Sequence, residues 1–175
     1  VPRGVSAELL ATGIQDITNA MVEDFELNDV LRMVLETMYR ALGFRRVLFC
    51  LRDAATQSLT GRFGLGEDAA SVARLFRVPL KDPQDLFGMV CNKGVDTLIR
   101  DAAVPTVANK LPAWYRGQIN APAFLLLPLQ IKGTPFGLIY ADQASASDIA
   151  LDEKELALLK TLRNQAVMAF RQSRP

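Results

Sequence analysis

The sequence predicts an α+β fold: a mainly antiparallel sheet covered by chain-terminal helices on one side and by connecting segments on the other. Three observations carry that prediction. Helical spacing of apolar residues at both ends brackets a middle whose apolar runs are strand-length. That middle closes with two apolar runs joined by a Lys-Gly turn, Phe124 to Asp142, the pattern of a hairpin. With 175 residues, half of them apolar, the chain can bury one core well but is short for two.

The opening Val1–Gly4, "VPRG", reads as the remnant of a protease cleavage site, so a single domain is expected over residues 5–175 as a piece of a longer protein. From Ser6 to Asp24, Leu9, Leu10, Ile14, Ile17 and Met21 recur every three or four residues, which predicts an amphipathic helix with a linker or dimerisation role. A second helix follows from Asn28, its expected N-cap, to Leu42, with Val30, Leu31, Val34, Leu35, Met38 and Leu42 on one stripe and Gly43 as the C-terminal stop. The period then changes. Arg45 to Asp53 alternates Val47, Phe49 and Leu51 with Leu48 and Cys50, apolar on both faces, which predicts an interior strand.

Ser58–Gly66 and Phe76–Leu80 read as weaker strands separated by a short helix over Glu67–Leu75. Asp85 to Gly94 reads as one short helix stopped by glycine, and Asp96–Asp101 as a short strand. From Ala102 to Pro122 the periodicity dissolves around three prolines and the pair Trp114–Tyr115; loops of that length in a compact domain are functional or mobile. The hairpin follows, with strands at 124–131 and 135–141 and Lys132-Gly133-Thr134 as the turn. The chain closes on a helix from Leu151, with Asp152 and Glu155 spaced as a capping box and Leu159, Leu162, Ala166, Ala169 and Phe170 on one stripe.

Twenty basic residues against nineteen acidic leave a formal charge of +1, which supplies no field for nucleic acid or an acidic membrane surface, and neither is expected as a partner. No apolar run reaches the roughly 18 residues of a spanning helix, and no secretory signal is present, so a cytoplasmic location is expected. Histidine is absent, which removes Ser-His-Asp and Cys-His nucleophile pairs, the usual haem ligand and most catalytic zinc sites. Haem and zinc are therefore not expected, and no other cofactor is indicated. Cys50 and Cys91 sit in apolar surroundings and read as buried reduced thiols.

Three motifs in order resemble the GAF domain. "LFGMVCNKGVDTLIRDA" resembles its helix–glycine–strand–aspartate stretch, "LLLPLQIKGTPFGLIYAD" its Pro-Leu, glycine turn and Gly-aliphatic-aliphatic-aromatic-x-Asp run, and Glu155–Ala169 its closing helix. The resemblance spans roughly Leu27 to Gln172. "LPAWYR", "FGLIYAD" and "TLRNQAVMAF" further resemble the GAF-like region that follows an HDOD domain in bacterial signalling proteins. It implies a six-stranded antiparallel sheet with terminal helices on one face and short helices and loops on the other. It also implies a homodimer through the terminal helices, other domains in the longer chain, and a small-molecule effector held under the irregular roof. Departures narrow the effector. Asn92-Lys93 and Asn109-Lys110 are present, but Phe124 is followed by no acidic pair, so the cyclic-nucleotide signature is incomplete. Bilin binding needs a cysteine beside a histidine, and the family's free methionine sulfoxide reductases rely on clustered cysteines.

Trp114, Tyr115 and Arg116 stand out because an aromatic pair beside arginine can stack on a flat ring and bind a phosphate or carboxylate; the alternative is that Trp114 plugs the core. Arg100 is a further anion ligand, and Phe49, Leu51, Phe63 and Phe87 are expected to line whichever sheet face the roof covers. Asp101 and Asp142 end strands, and their expected role is to accept backbone N–H groups in the turns that follow. The expected function is a non-catalytic sensory or regulatory domain that binds an effector and dimerises. The alternatives are a ligand-free dimerisation module and a thiol-based redox sensor or reductase using Cys50 and Cys91.

Overall fold

A computed structural model describes residues 3–173. In chain order the elements are α1 (Arg3–Val22), α2 (Leu27–Leu42), β1 (Arg46–Asp53), β2 (Ser58–Gly66), α3 (Ala69–Leu75), β3 (Arg77–Pro79), α4 (Leu86–Lys93), β4 (Thr97–Ile99), α5 (Pro105–Ala108), a π-helical turn (Tyr115–Ile119), β5 (Ala123–Ile131), β6 (Thr134–Gln143) and α6 (Glu153–Ser173). They form two compact units, one helical (residues up to Phe44 and from Leu151) and one built on the sheet (Arg45–Ala150).

In the helical unit, α1 starts earlier than the predicted Ser6, so Arg3 and Gly4 are helical; Val1 and Pro2 of the predicted cleavage remnant lie outside the described residues. Leu10 and Ile17 are buried while Leu9 is 42% exposed, so the predicted stripe is covered only in part. Helix α2 buries Val30, Leu31, Val34, Leu35 and Met38, as its spacing predicts, while Leu42 of the same stripe is half-buried. Its N-cap is Glu26 rather than Asn28, and no side chain caps it; Gly43 ends it in the left-handed region at φ 65°. The capping box of α6 forms in both directions: Glu155 N–H donates to Asp152 Oδ1 at 2.7 Å, and Asp152 N–H to Glu155 Oε1 at 3.0 Å.

The sheet unit has six strands in the order β3-β2-β1-β6-β5-β4, every neighbouring pair antiparallel. Its two central strands are distant in sequence, with Arg46 opposite Asp142 and Leu48 opposite Tyr140. The β5–β6 hairpin turns on two residues, Lys132 at φ 52° and Gly133 at φ 78°, both left-handed as the favoured hairpin turn requires; Thr134, predicted in the turn, already belongs to β6. The irregular stretch 102–122 contains α5 and the π turn, neither of which shows in the residue spacing.

One face of the sheet carries Leu48, Cys50, Leu59, Val78, Phe124, Leu126, Leu138 and Tyr140, and α3, α4 and residues 102–121 roof it in a single apolar cluster. Helix α3 lies close on β2 because that strand has glycines beneath it: a Cβ on Gly61 would meet Ala73 O at 2.1 Å. Among the described residues, no helix is long and apolar enough to cross a membrane.

Candidate functional site

The site is the roofed face, and its material is aromatic. Phe76 follows α3, Phe87 sits in the first turn of α4, Trp114 and Tyr115 begin the π turn, and Phe124 and Tyr140 rise from β5 and β6. Asp85 fixes the start of α4 by accepting Gly88 N–H at 2.9 Å, which aims Phe87 inward. The rings form one continuous set: Phe76–Tyr140 centroids are 4.8 Å apart, Phe76–Trp114 5.0 Å, Phe87–Trp114 5.5 Å and Tyr115–Phe124 5.2 Å. Five of the six are buried, and Trp114 is half-buried.

Beside the rings runs a buried polar chain. Arg46 donates to Asp142 Oδ2 from Nη2 at 2.8 Å and from Nε at 3.1 Å, a charge-assisted pair with both residues buried. Arg45 Nε approaches Asp142 Oδ1 at 3.6 Å, within ion-pair range but beyond a hydrogen bond. Tyr140 donates to Asp142 Oδ2 at 2.6 Å, and the Tyr115 and Tyr140 hydroxyls are 2.9 Å apart. Tyr115 also points its hydroxyl at Ala121 O, 3.2 Å away. Burial alone would lower the Arg46 pKa, but its hydrogen bond and charge contact with Asp142 outweigh that and raise it. Burial, joined by the nearby carboxylate, pushes both tyrosine hydroxyls up, well above their ordinary value for Tyr140.

The residues predicted to form the site separate. Tyr115, Phe87 and Trp114 meet under the roof. Phe49, Leu51 and Phe63 do not line the roofed face; Phe49 alternates with Leu48 and Cys50, and it stacks on Phe63, its cross-strand partner, at 5.9 Å. Strand alternation told which residues share a face but not which face the connections cover. Arg100 and Arg116 are exposed. Asp101 behaves as expected, accepting Ala103 N–H at 3.0 Å. Asp142 is corrected: it serves no turn but sits within β6, fully buried against Arg46. Its sequence signal was a carboxylate on an otherwise apolar strand, together with two adjacent arginines opening the other interior strand.

Cys50 and Cys91 are both buried in the roofed cluster. Burial raises the Cys50 thiol, with Cys91 adding to it, and burial with the Asp85 charge pushes Cys91 up to about 12.

A sequence model of the family described as "GAF domain" matches residues 26–170. The chain belongs to the GAF domain family. GAF domains are typically sensory or regulatory parts of signalling proteins and generally non-catalytic. Among solved structures, this GAF domain is similar to that of an Acinetobacter phosphoenolpyruvate-protein phosphotransferase, at 18% identity and TM-score 0.74 over 95% of this chain and 92% of that one. It is also similar to a free methionine-R-sulfoxide reductase from Neisseria meningitidis solved with its substrate (20%, TM-score 0.72, 95% and 91% covered). A third is the GAF domain of a two-component sensor histidine kinase from Bacillus halodurans (16%, TM-score 0.67, 85% and 96% covered). At these identities the likeness shows the fold alone. No curated protein matches the chain.

Proposed function

We propose that this GAF domain is a non-catalytic regulatory module whose roofed face is filled at rest by its own side chains, and whose moving part is the 102–122 segment. One observation carries the reading: the space over the sheet where an effector would lie is taken by Phe76, Phe87, Tyr115, Phe124 and Tyr140, all buried and in ring contact. The chemistry supports the non-catalytic part. The chain has no histidine, and the buried thiols are held as the protonated form, which is neither nucleophile nor metal ligand. The thiol-reductase alternative therefore draws support from one structural neighbour and little from these cysteines.

An effector-binding reading rests on Trp114, the only half-buried ring of the six. A flat organic effector would enter by displacing it, shifting the population toward an open roof. Exposed Val5, Leu9 and Val22 on α1 and Met168 on α6 support a homodimer through the helical unit, acting on other domains of a longer chain. Native mass spectrometry of freshly purified protein, joined to hydrogen exchange over 102–122 with candidate effectors, tests these readings. The expected result is a dimer without retained ligand, whose exchange is fastest in 102–122 of the sheet unit. A tightly retained small molecule would replace the closed-interior reading with the effector-binding one, and turnover of any substrate at enzyme-like rates would end both.

A further inference from the structure

We propose that the Arg45 guanidinium is a binding site for one small carboxylate ligand, whose two oxygens accept the parallel N–H groups at the tip of the side chain. This goes beyond the regulatory reading above and does not depend on it, because the aromatic rings stay where they are.

Charge is out of balance at this end of the sheet. Arg45 and Arg46 both lean on Asp142 Oδ1, with Arg45 Nε at 3.6 Å and Arg46 Nε at 3.3 Å, so two guanidinium groups lie close together at the start of β1. Among the described residues, Asp142 is the one carboxylate within 4.0 Å of either. Tyr115 and Tyr140 add no charge, since burial keeps their hydroxyls protonated. Two positive groups against one negative leave a single positive charge over. Asp142 itself is taken: Arg46 Nη2, Arg46 Nε and the Tyr140 hydroxyl all donate to its Oδ2. Arg46 is thereby a partner fixed by the fold, and the surplus falls to Arg45. An uncompensated charge at the edge of the interior is costly, and a bound anion removes that cost.

Donors are in surplus at the same side chain. Arg45 Nε is buried without a hydrogen-bond partner, and none of the five Arg45 guanidinium N–H groups donates to a described residue. Its side chain is 26% exposed against 7% for Arg46. The buried Nε and that exposure together place the stem inside and the two terminal nitrogens at the surface. The backbone holds the residue in place: Arg45 N–H donates to Asp142 O at 2.9 Å, and Arg45 O accepts Glu67 N–H at 3.3 Å. A guanidinium set in this way presents the planar N–H pair that a carboxylate accepts in bidentate geometry. Charge selects the ligand class. One carboxylate brings the group to neutrality, whereas a phosphate dianion would leave it negative beside Asp142.

The test follows backbone amide resonances of the full chain by NMR, slightly above neutral pH where phosphate is mainly dianionic. Sodium acetate replaces sodium chloride at fixed ionic strength, and inorganic phosphate is titrated in the same way. Acetate is expected to shift the Arg45, Arg46 and Glu67 amides saturably, to leave the Trp114–Ile119 amides in place, and to bind at least as tightly as phosphate. In R45Q, which removes a side chain that makes no hydrogen bond, acetate is expected to bind about tenfold more weakly or worse. Shifts that stay linear through the millimolar range, shifts spread evenly over the sheet unit, or unchanged binding in R45Q would overturn the site. Phosphate binding tighter than acetate would overturn its assignment to a carboxylate. The titration of the unaltered protein decides between these outcomes even where R45Q folds poorly.

Discussion

Asp142 in the sheet unit and Gln165 in the helical unit are both buried polar side chains, and their surroundings treat them differently. Both Asp142 oxygens are engaged, by Arg46 and by Tyr140. Gln165 donates its amide to Ile14 O at 2.9 Å and Thr18 Oγ1 at 2.8 Å, while its Oε1 has no hydrogen-bond partner among the described residues. A satisfied buried charge is costly to disturb, whereas a half-satisfied amide is one the fold tolerates. The sheet unit carries one such atom too, since Arg45 Nε is buried without a hydrogen-bond partner among the described residues; what sets Asp142 apart is that both of its own oxygens are engaged.

The largest expected effect breaks the first site. Asp142→Ala strands Arg46 in the interior and is expected to destabilise by about 3–5 kcal/mol in urea unfolding. A loss under about 1 kcal/mol would mean that water reaches the guanidinium. Next come Gly61 and Gly13, two of the glycines that leave no room for a Cβ. Gly61→Ala drives a Cβ to 2.1 Å from a backbone oxygen of α3, and a cost of about 1–3 kcal/mol is expected from the shift it forces. Gly13→Ala in α1 meets the Thr37 methyl at 2.3 Å, but it gains roughly 1 kcal/mol of helix propensity, so its net effect is expected to be smaller than that of Gly61→Ala by the same measurement.

Gln165→Leu is expected to change stability by less than about 1 kcal/mol in either direction, since it removes an unpaired oxygen along with two hydrogen bonds. A large loss would show that Gln165 sets the α1–α6 register. The smallest expected effect is in the thiols. With Cys91 pushed up to about 12, iodoacetamide at pH 8 is expected to label neither cysteine of the native protein, and both after unfolding. The linked sign follows: below the pKa of an unfolded thiol both states are protonated and stability is full, and as pH rises above it the unfolded state alone loses protons. Alkaline titration is therefore expected to weaken the fold, with the raised tyrosines adding to the loss above their ordinary value.

Local pattern carried much of the fold. The α2 and α6 stripes, the stops at Gly43 and Gly94, the Asp152–Glu155 box and the six strands all depend on residues within a few positions of one another. The candidate site was less legible. Tyr115, Phe87 and Trp114 were singled out and do meet, but Phe49, Leu51 and Phe63 were assigned to the wrong face, because alternation is blind to which side the connections cross. The π turn was missed, since its wide hydrogen-bond spacing leaves no signature in residue order.

By itself the amino-acid order determined the helices, the strands, the caps and the absence of histidine chemistry, because each of these is a property of neighbours or of composition. Only the tertiary structure decided that Asp142 is a buried ion-pair partner and that Tyr115 reaches it through Tyr140. That contact joins positions 46, 115, 140 and 142, and it exists only once β1 and β6 lie side by side at the centre of the sheet. A carboxylate on a strand reads the same in sequence whether it meets water or two guanidinium groups, and the pairing of distant strands determines which it meets.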